Sequence, residues 1–96
     1  MNEDHTHSFK DAFSKFLKEE KLEQVYHEKR LISLWADIMG PAISRRTTRV
    51  YIKEKILYVT LNSAPLKQEL THSRQKVLSL IEDRLGAKVV EDVRFL

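Results

Sequence analysis

The feature that most constrains the fold is a pair of alternating segments, residues 48–53 and 56–61, separated by two residues. Alternation of apolar and polar side chains is typical of half-buried β-strands, and so short a connection predicts an antiparallel hairpin in a fixed register. The predicted inner-face pairs are Ile52 with Leu57, Val50 with Val59, and Thr48 with Leu61; the outer-face pairs are Tyr51 with Tyr58, Arg49 with Thr60, and Lys53 with Ile56.

The loop residues of this hairpin, Glu54 and Lys55, are unusual for a two-residue turn. Such turns favour Asn-Gly or Asp-Gly, because the central residues take positive φ. A longer or bulged loop, which shifts the register by one residue, is therefore the alternative.

Helical periodicity appears on both sides of the hairpin. Ser8 is the expected N-cap of a first helix that ends near Glu20 and has its apolar residues at Phe9, Ala12, Phe13, Phe16 and Leu17. A second helical pattern runs through Leu22, Val25, Tyr26, Lys29, Ile32, Leu34, Trp35, Ile38 and Met39. Gly40 ends it, and Pro41 opens a short turn, "PAIS".

A third helix is predicted from Ser63 to Gly86 as the longest in the chain, with Pro65 in its first turn. Its expected buried stripe is Leu66, Leu70, Val77, Leu78, Ile81 and Leu85. The last segment, "KVVEDVRFL", is predicted to contain a strand. The order α-α-β-β-α-β predicts an α+β fold: a small three-stranded sheet covered by helices on one face. With 96 residues there is room for one core, so we expect a single domain over residues 8–96 after a flexible tail, residues 1–7.

Positive charge is concentrated at the hairpin. Residues 41–55 carry five of the chain's 17 Lys/Arg residues and one of its 14 Asp/Glu residues. Guanidinium and ammonium groups neutralise phosphates, and aromatic rings stack on unpaired bases, so the pattern predicts a nucleic-acid-binding surface. The candidate residues are Arg45, Arg46, Arg49, Tyr51, Lys53, Lys55 and Tyr58. The alternatives are a solvated sheet face, on which tyrosine and threonine are common, or tyrosines packed beneath the first helix.

The sequence gives little indication of catalysis, cofactor binding or metal binding. The chain has no cysteine, no Gly-rich loop and no evident catalytic constellation, so we expect no enzyme, cofactor or small-molecule substrate. His5 and His7 lie in the acidic tail without a third ligand, so no metal site is predicted. Trp35 lies on an apolar helix stripe and is expected in the core. With no secretory signal pattern and no membrane-spanning run, we expect a cytoplasmic protein without membrane contact.

Several of these residues together resemble the DciA family. The matching pattern is a Trp-bearing helix, then Gly40-Pro41-Ala42-Ile43, a hairpin strand reading Leu57-Tyr58-Val59, and then Ser63, Leu66, Glu69 and Leu70. The tail also matches, at Leu85-Gly86 and Arg94-Phe95, so the likeness spans roughly residues 9–96.

This resemblance implies a KH-like fold and a role in DNA replication. It implies association with the replicative helicase DnaB and binding to single-stranded or structured DNA with little sequence preference. The chain lacks the Gly-x-x-Gly loop with which true KH domains clamp nucleotides. Two alternatives stay open: a protein-interaction adaptor without DNA binding of its own, and an RNA-binding module.

Overall fold

The computed structural model describes residues 9–16 and 22–96. Residues 9–16 are helical and are labelled α1. The other elements are α2 (Leu22–Met39), α3 (Pro41–Ser44), β1 (Thr47–Lys53), β2 (Ile56–Leu61), α4 (Ala64–His72), α5 (Arg74–Leu85) and β3 (Asp92–Phe95). The predicted tail, the Ser8 cap and the end of the first helix near Glu20 lie outside the described residues.

The three strands form one sheet in the order β1-β2-β3, antiparallel between β1 and β2 and parallel between β2 and β3. The predicted hairpin register is confirmed from Arg49↔Thr60 to Lys53↔Ile56. The predicted pairing of Thr48 with Leu61 is wrong, because a bulge at this end pairs Thr47 with Leu61. The extra residue is held by the Thr48 hydroxyl, which donates to the carbonyl of Thr60 at 3.3 Å.

The turn between β1 and β2 is the tight two-residue form despite its sequence. Glu54 and Lys55 have φ of 51° and 62°, the left-handed region that a type I′ turn requires at both central positions. The backbone N–H of Glu91 donates to the carbonyl of Lys55 at 2.7 Å and so joins the turn to the segment before β3. Neither turn residue is glycine, so the hairpin stores conformational strain here.

One hydrophobic core lies between the helices and the inner face of the sheet. Its sheet residues include Leu57, Val59, Val93 and Phe95, which alternate with exposed or half-buried neighbours along β2 and β3. The helices supply Leu31, Trp35, Leu70, Val77, Leu78, Ile81 and Leu85. The α+β class and the small three-stranded sheet are confirmed. The arrangement is compatible with a KH-like fold.

Helix α2 buries only part of its predicted apolar pattern: Trp35 is in the core, and Leu34, Ile38 and Met39 pack against it. Leu31 is fully buried and Trp35 nearly so, whereas Val25, Tyr26 and Ile32 of the predicted stripe are exposed. Apolar residues occur all around this helix, so periodicity alone does not select the buried side. The core position of Trp35 is confirmed, and its indole N–H donates to the Thr47 hydroxyl at 3.2 Å.

The predicted single helix from Ser63 to Gly86 is two helices, and α2 is the longest helix of the described chain. The chain leaves helical geometry at Ser73, where φ is −108° and ψ is 23°. Just before it, the Thr71 hydroxyl donates to the carbonyl of Lys67 at 2.7 Å, a bond that bends helices. The apolar stripe is also interrupted between Leu70 and Val77, so no buried side chain holds the helix straight. The predicted end at Gly86 is confirmed by a left-handed φ of 72°.

The phenylalanines of α1 are exposed. Phe9, Phe13 and Phe16 expose 70%, 52% and 50% of their surface, so the burial expected for them is not found among the described residues. Within the described ranges, no helix has the length and apolarity needed to cross a membrane.

Candidate nucleic-acid interface

The outer face of the sheet carries a cation–aromatic stack. Alternation of side chains places Arg49, Tyr51 and Lys53 on this face of β1, and cross-strand pairing brings Tyr58 beside Tyr51. The two tyrosine rings are stacked, with centroids 4.9 Å apart and an interplanar angle of 12°. The guanidinium carbon of Arg49 lies 4.5 Å from the centroid of the Tyr51 ring, within cation–π range. Both rings are half-buried.

The stack limits how a base could contact these rings. One face of Tyr51 and one face of Tyr58 are occupied by each other, and Arg49 also packs on Tyr51. Tyr51 and Tyr58 are therefore not two separate flat rings that are each open to a base, as alternation in the sequence predicts. They form a short aromatic column across the hairpin, and Arg49 packs at its Tyr51 end.

Arg94 is a further cation on this face, and it is not among the seven site residues that the sequence pattern predicts. Arg94 is exposed on β3 and is in register with Tyr58 of β2, so Tyr51, Tyr58 and Arg94 form one row across all three strands. The available signal was the alternation in "VRF", where Val93 and Phe95 are buried and Arg94 must point the other way. The parallel placement of β3 beside β2 was needed to bring it next to Tyr58.

Among the described residues, no carboxylate forms an ion pair with Arg49, Lys53 or Arg94. Three ion pairs occur within residues 22–96: His27 with Glu23, Arg74 with Asp92, and Arg84 with Asp37. None of them involves the seven predicted residues or Arg94. Asp92, the acidic residue of β3, is in register with Ile56, and its carboxylate lies 3.6 Å from the guanidinium of Arg74. The charges of Arg49, Lys53 and Arg94 on the outer face are therefore not paired with any carboxylate that the structure describes.

The remaining predicted residues lie toward the two ends of the hairpin. Arg45 and Arg46 are exposed in the turn between α3 and β1, and the carbonyl of Arg46 accepts from the N–H of Asn62 at 2.9 Å. Lys55, in the opposite turn, lines an open cleft of about 760 Å³ together with Lys88 and residues of α2. The structure thus brings Arg49, Tyr51 and Tyr58 into contact, places Lys53 on the same face, and leaves Arg45, Arg46 and Lys55 apart.

No metal-binding group was found in the described part of the chain: no three His, Cys, Asp or Glu side chains there are arranged to hold an ion. His5 and His7 are outside that part.

The family model of DciA, described as "Dna[CI] antecedent, DciA", matches residues 8–95. The chain belongs to the DciA family. The match covers nearly the whole chain, including the helices on both sides of the hairpin, the hairpin itself and β3. No curated protein matches the chain significantly.

Membership in the DciA family implies a role in loading the replicative DnaB helicase during DNA replication. The family is one of helicase loaders and accessory proteins.

Proposed function

We propose that this DciA-family chain binds single-stranded DNA across the outer face of its sheet while it assists the replicative DnaB helicase. The role is one of binding, without catalysis. The observation that carries the proposal is the row Tyr51–Tyr58–Arg94 flanked by Arg49, a cation–aromatic surface with no carboxylate in ion-pair contact among the described residues.

Phosphates would be contacted by Arg49, Lys53 and Arg94. These three side chains lie on one face of three adjacent strands, so a DNA backbone that crosses the sheet meets them in succession. Neutralising phosphates releases counterions, which makes the binding dependent on salt and nearly independent of sequence. Arg45, Arg46 and Lys55 extend the positive surface toward the ends of the hairpin.

A DNA base would stack on the end of the Tyr51–Tyr58 column rather than insert between the two rings. A base inserted between Tyr51 and Tyr58 would have to break a formed aromatic contact, which itself contributes about 0.5–1.5 kcal/mol. A base added at the Tyr58 end keeps that contact and lies beside Arg94. Single-stranded DNA is favoured over a duplex, because the faces of paired bases are already stacked.

Fluorescence anisotropy with a labelled single-stranded oligodeoxythymidine tests this proposal. We expect saturable binding that is weaker for a duplex of the same length, whose stacked bases cannot extend the column. A single-stranded RNA of matched sequence serves as the comparison. Tighter binding to the RNA would favour an RNA-binding module, and no binding to any of the three would favour a protein adaptor.

A further inference from the structure

Strand β1 is the longer of the two edge strands of the sheet that the described residues form. The sheet order leaves β1 and β3 at the two edges, and β1 has seven residues where β3 has four. The bulge at Thr48 interrupts the regular part, so Arg49 to Lys53 is the stretch whose edge is evenly spaced. An open edge of this kind is a template for the addition of another strand.

The hydrogen bonds between β2 and β3 establish which residues of β1 have free backbone groups. The Val59 carbonyl accepts from Leu96 at 2.8 Å, and the Leu61 N–H donates to the Leu96 carbonyl at 3.0 Å, so odd-numbered residues of β2 turn their backbone toward β3. Directions alternate along a strand, so Tyr58 and its even-numbered neighbours bond to β1. Tyr51, opposite Tyr58, therefore turns its own backbone toward β2.

Val50 and Ile52 consequently direct their N–H and C=O groups away from the sheet. Across the ranges that the structure describes, neither backbone has a partner on that side. Their side chains lie on the inner face, half-buried and packed against the core. An added strand would gain up to four backbone hydrogen bonds and would cover the apolar surface that these two residues still expose.

The charges along the edge identify the kind of strand that fits. Arg49 and Lys53 lie four residues apart on the outer face, both exposed and both without an ion pair among the described side chains. In an antiparallel addition they fall in the non-hydrogen-bonded pairs, in which facing side chains are closest. Opposite charges facing each other there stabilise the pairing, and like charges destabilise it.

We propose that the β1 edge binds an acidic extended segment of a partner protein by antiparallel strand addition. The segment carries acidic residues opposite Arg49 and Lys53, apolar residues opposite Val50 and Ile52, and a small or aromatic residue opposite Tyr51. This interaction uses the backbone edge of β1, whereas the proposed DNA binding uses the outer face of the sheet. Because both use Arg49 and Lys53, the acidic segment and DNA would compete for these two side chains.

A second copy of the chain is a poor occupant for the same edge. Antiparallel pairing of two β1 strands about Tyr51 would place Arg49 of one copy opposite Lys53 of the other, twice in each dimer. These like-charged pairs destabilise the self-association that an open edge otherwise invites, which is a common way in which proteins protect their sheet edges.

Binding of the synthetic peptide Thr-Glu-Val-Thr-Val-Glu-Thr, measured by isothermal titration calorimetry with the whole chain, tests the proposal. We expect saturable binding that is lost when both glutamates are replaced by lysine. N-methylation of the two valine amides, whose N–H groups would face β1, should weaken binding at least about tenfold. N-methylation of the central threonine is the matched control and should change it little, because that N–H faces away.

The variant Val50→Pro tests the edge from the side of the protein. Proline removes the outward N–H of residue 50 without removing a bond to β2, so the fold should be kept. We expect peptide affinity to fall while oligodeoxythymidine affinity stays unchanged, which separates this proposal from the DNA-binding one. Equal binding of the glutamate and lysine peptides, or equal effects of the two N-methylations, would overturn it. A dimer in sedimentation that Val50→Pro dissociates would assign the edge to a second copy instead.

Discussion

The indole N–H of Trp35 donates to the hydroxyl of Thr47 at 3.2 Å and joins the buried side of α2 to the first residue of β1. The same hydroxyl donates to the carbonyl of Ile43 at 2.9 Å, so one side chain connects α2, α3 and the hairpin. Arg45 and Arg46 lie between Ile43 and Thr47. The two hydrogen bonds of the Thr47 hydroxyl therefore help to position the segment that carries Arg45 and Arg46, and they also contribute to stability.

Thr47→Val tests that connection. Valine keeps the shape of threonine but removes the hydroxyl, so the indole N–H loses its partner and the Ile43 carbonyl keeps only the N–H of Arg46, at 3.1 Å. We expect the free energy of unfolding to fall by about 1–3 kcal/mol in urea denaturation. Thr47→Ser keeps the hydroxyl and should cost less than the valine variant. Equal losses for the two variants would contradict a role for the hydrogen bonds.

The buried face of α2 is tested by two neighbouring residues. Leu31 is 0% exposed and Ile32 is 40% exposed. Leu31→Ala should lower the free energy of unfolding by about 2–5 kcal/mol, because it leaves a cavity in the core. Ile32→Ala, the matched control, should cost well under half as much. A larger loss at Ile32 would mean that α2 is rotated from the orientation described.

The strained turn between β1 and β2 gives a prediction of opposite sign at two lysines. Lys55 has a φ of 62°, which glycine adopts without penalty, so Lys55→Gly should raise the free energy of unfolding by about 1 kcal/mol. Lys53, two residues earlier, is in regular strand geometry, and Lys53→Gly should lower it by about 0.5–1 kcal/mol. Urea denaturation of both variants checks the pair. Destabilisation by Lys55→Gly would contradict the type I′ turn.

The contribution of the aromatic column to DNA binding is tested at Tyr58. Tyr58→Leu removes the ring and keeps an apolar side chain, so a base loses its stacking partner. Stacking is worth about 1–3 kcal/mol per base, so affinity for oligodeoxythymidine should fall roughly five- to 150-fold. Tyr58→Phe keeps the ring and should bind nearly as well as the unaltered chain. An unchanged affinity in the leucine variant would show that no base stacks there.

The hairpin could be predicted from the sequence almost completely. Strict alternation and a two-residue connection leave one register that buries Leu57 and Val59, and the structure has that register up to the bulge at Thr48. The bulge was not predictable from alternation, because inserting one residue at a strand end changes no buried side chain. The two-residue type I′ turn forms although Glu54 and Lys55 do not favour positive φ, because pairing along the whole hairpin outweighs the strain at these two residues.

The helices and the candidate site were less predictable. Val25, Tyr26 and Ile32 make α2 apolar on more than one side, so only packing against α5 and the sheet selects Leu31 and Trp35. The break at Ser73 lies beside the hydrogen bond from Thr71 to Lys67 and within a gap in the apolar stripe, and neither feature interrupts the helical period of the sequence. For the site, the strand residues Arg49, Tyr51 and Tyr58 followed from alternation. The place of Arg94 in the site did not follow from alternation, because it depends on the pairing of β3 with β2, two strands that are distant in sequence.

The proposed DNA binding depends above all on one interaction, that of cations on the outer face of the sheet with DNA phosphates. Its most direct test is the salt dependence of oligodeoxythymidine binding by the unaltered chain and by Arg49→Glu/Arg94→Glu. The control, Lys67→Glu/Lys76→Glu, makes the same change in net charge on α4 and α5, where both lysines are exposed. Each phosphate contact contributes about 0.7 to the slope of log K against log salt for a single strand.

We therefore predict that Arg49→Glu/Arg94→Glu weakens binding strongly and makes the slope shallower by about 1.4, whereas Lys67→Glu/Lys76→Glu leaves the slope nearly unchanged. Equal effects of the two double variants would mean that net charge, rather than the outer face of the sheet, determines the affinity, and would contradict the account.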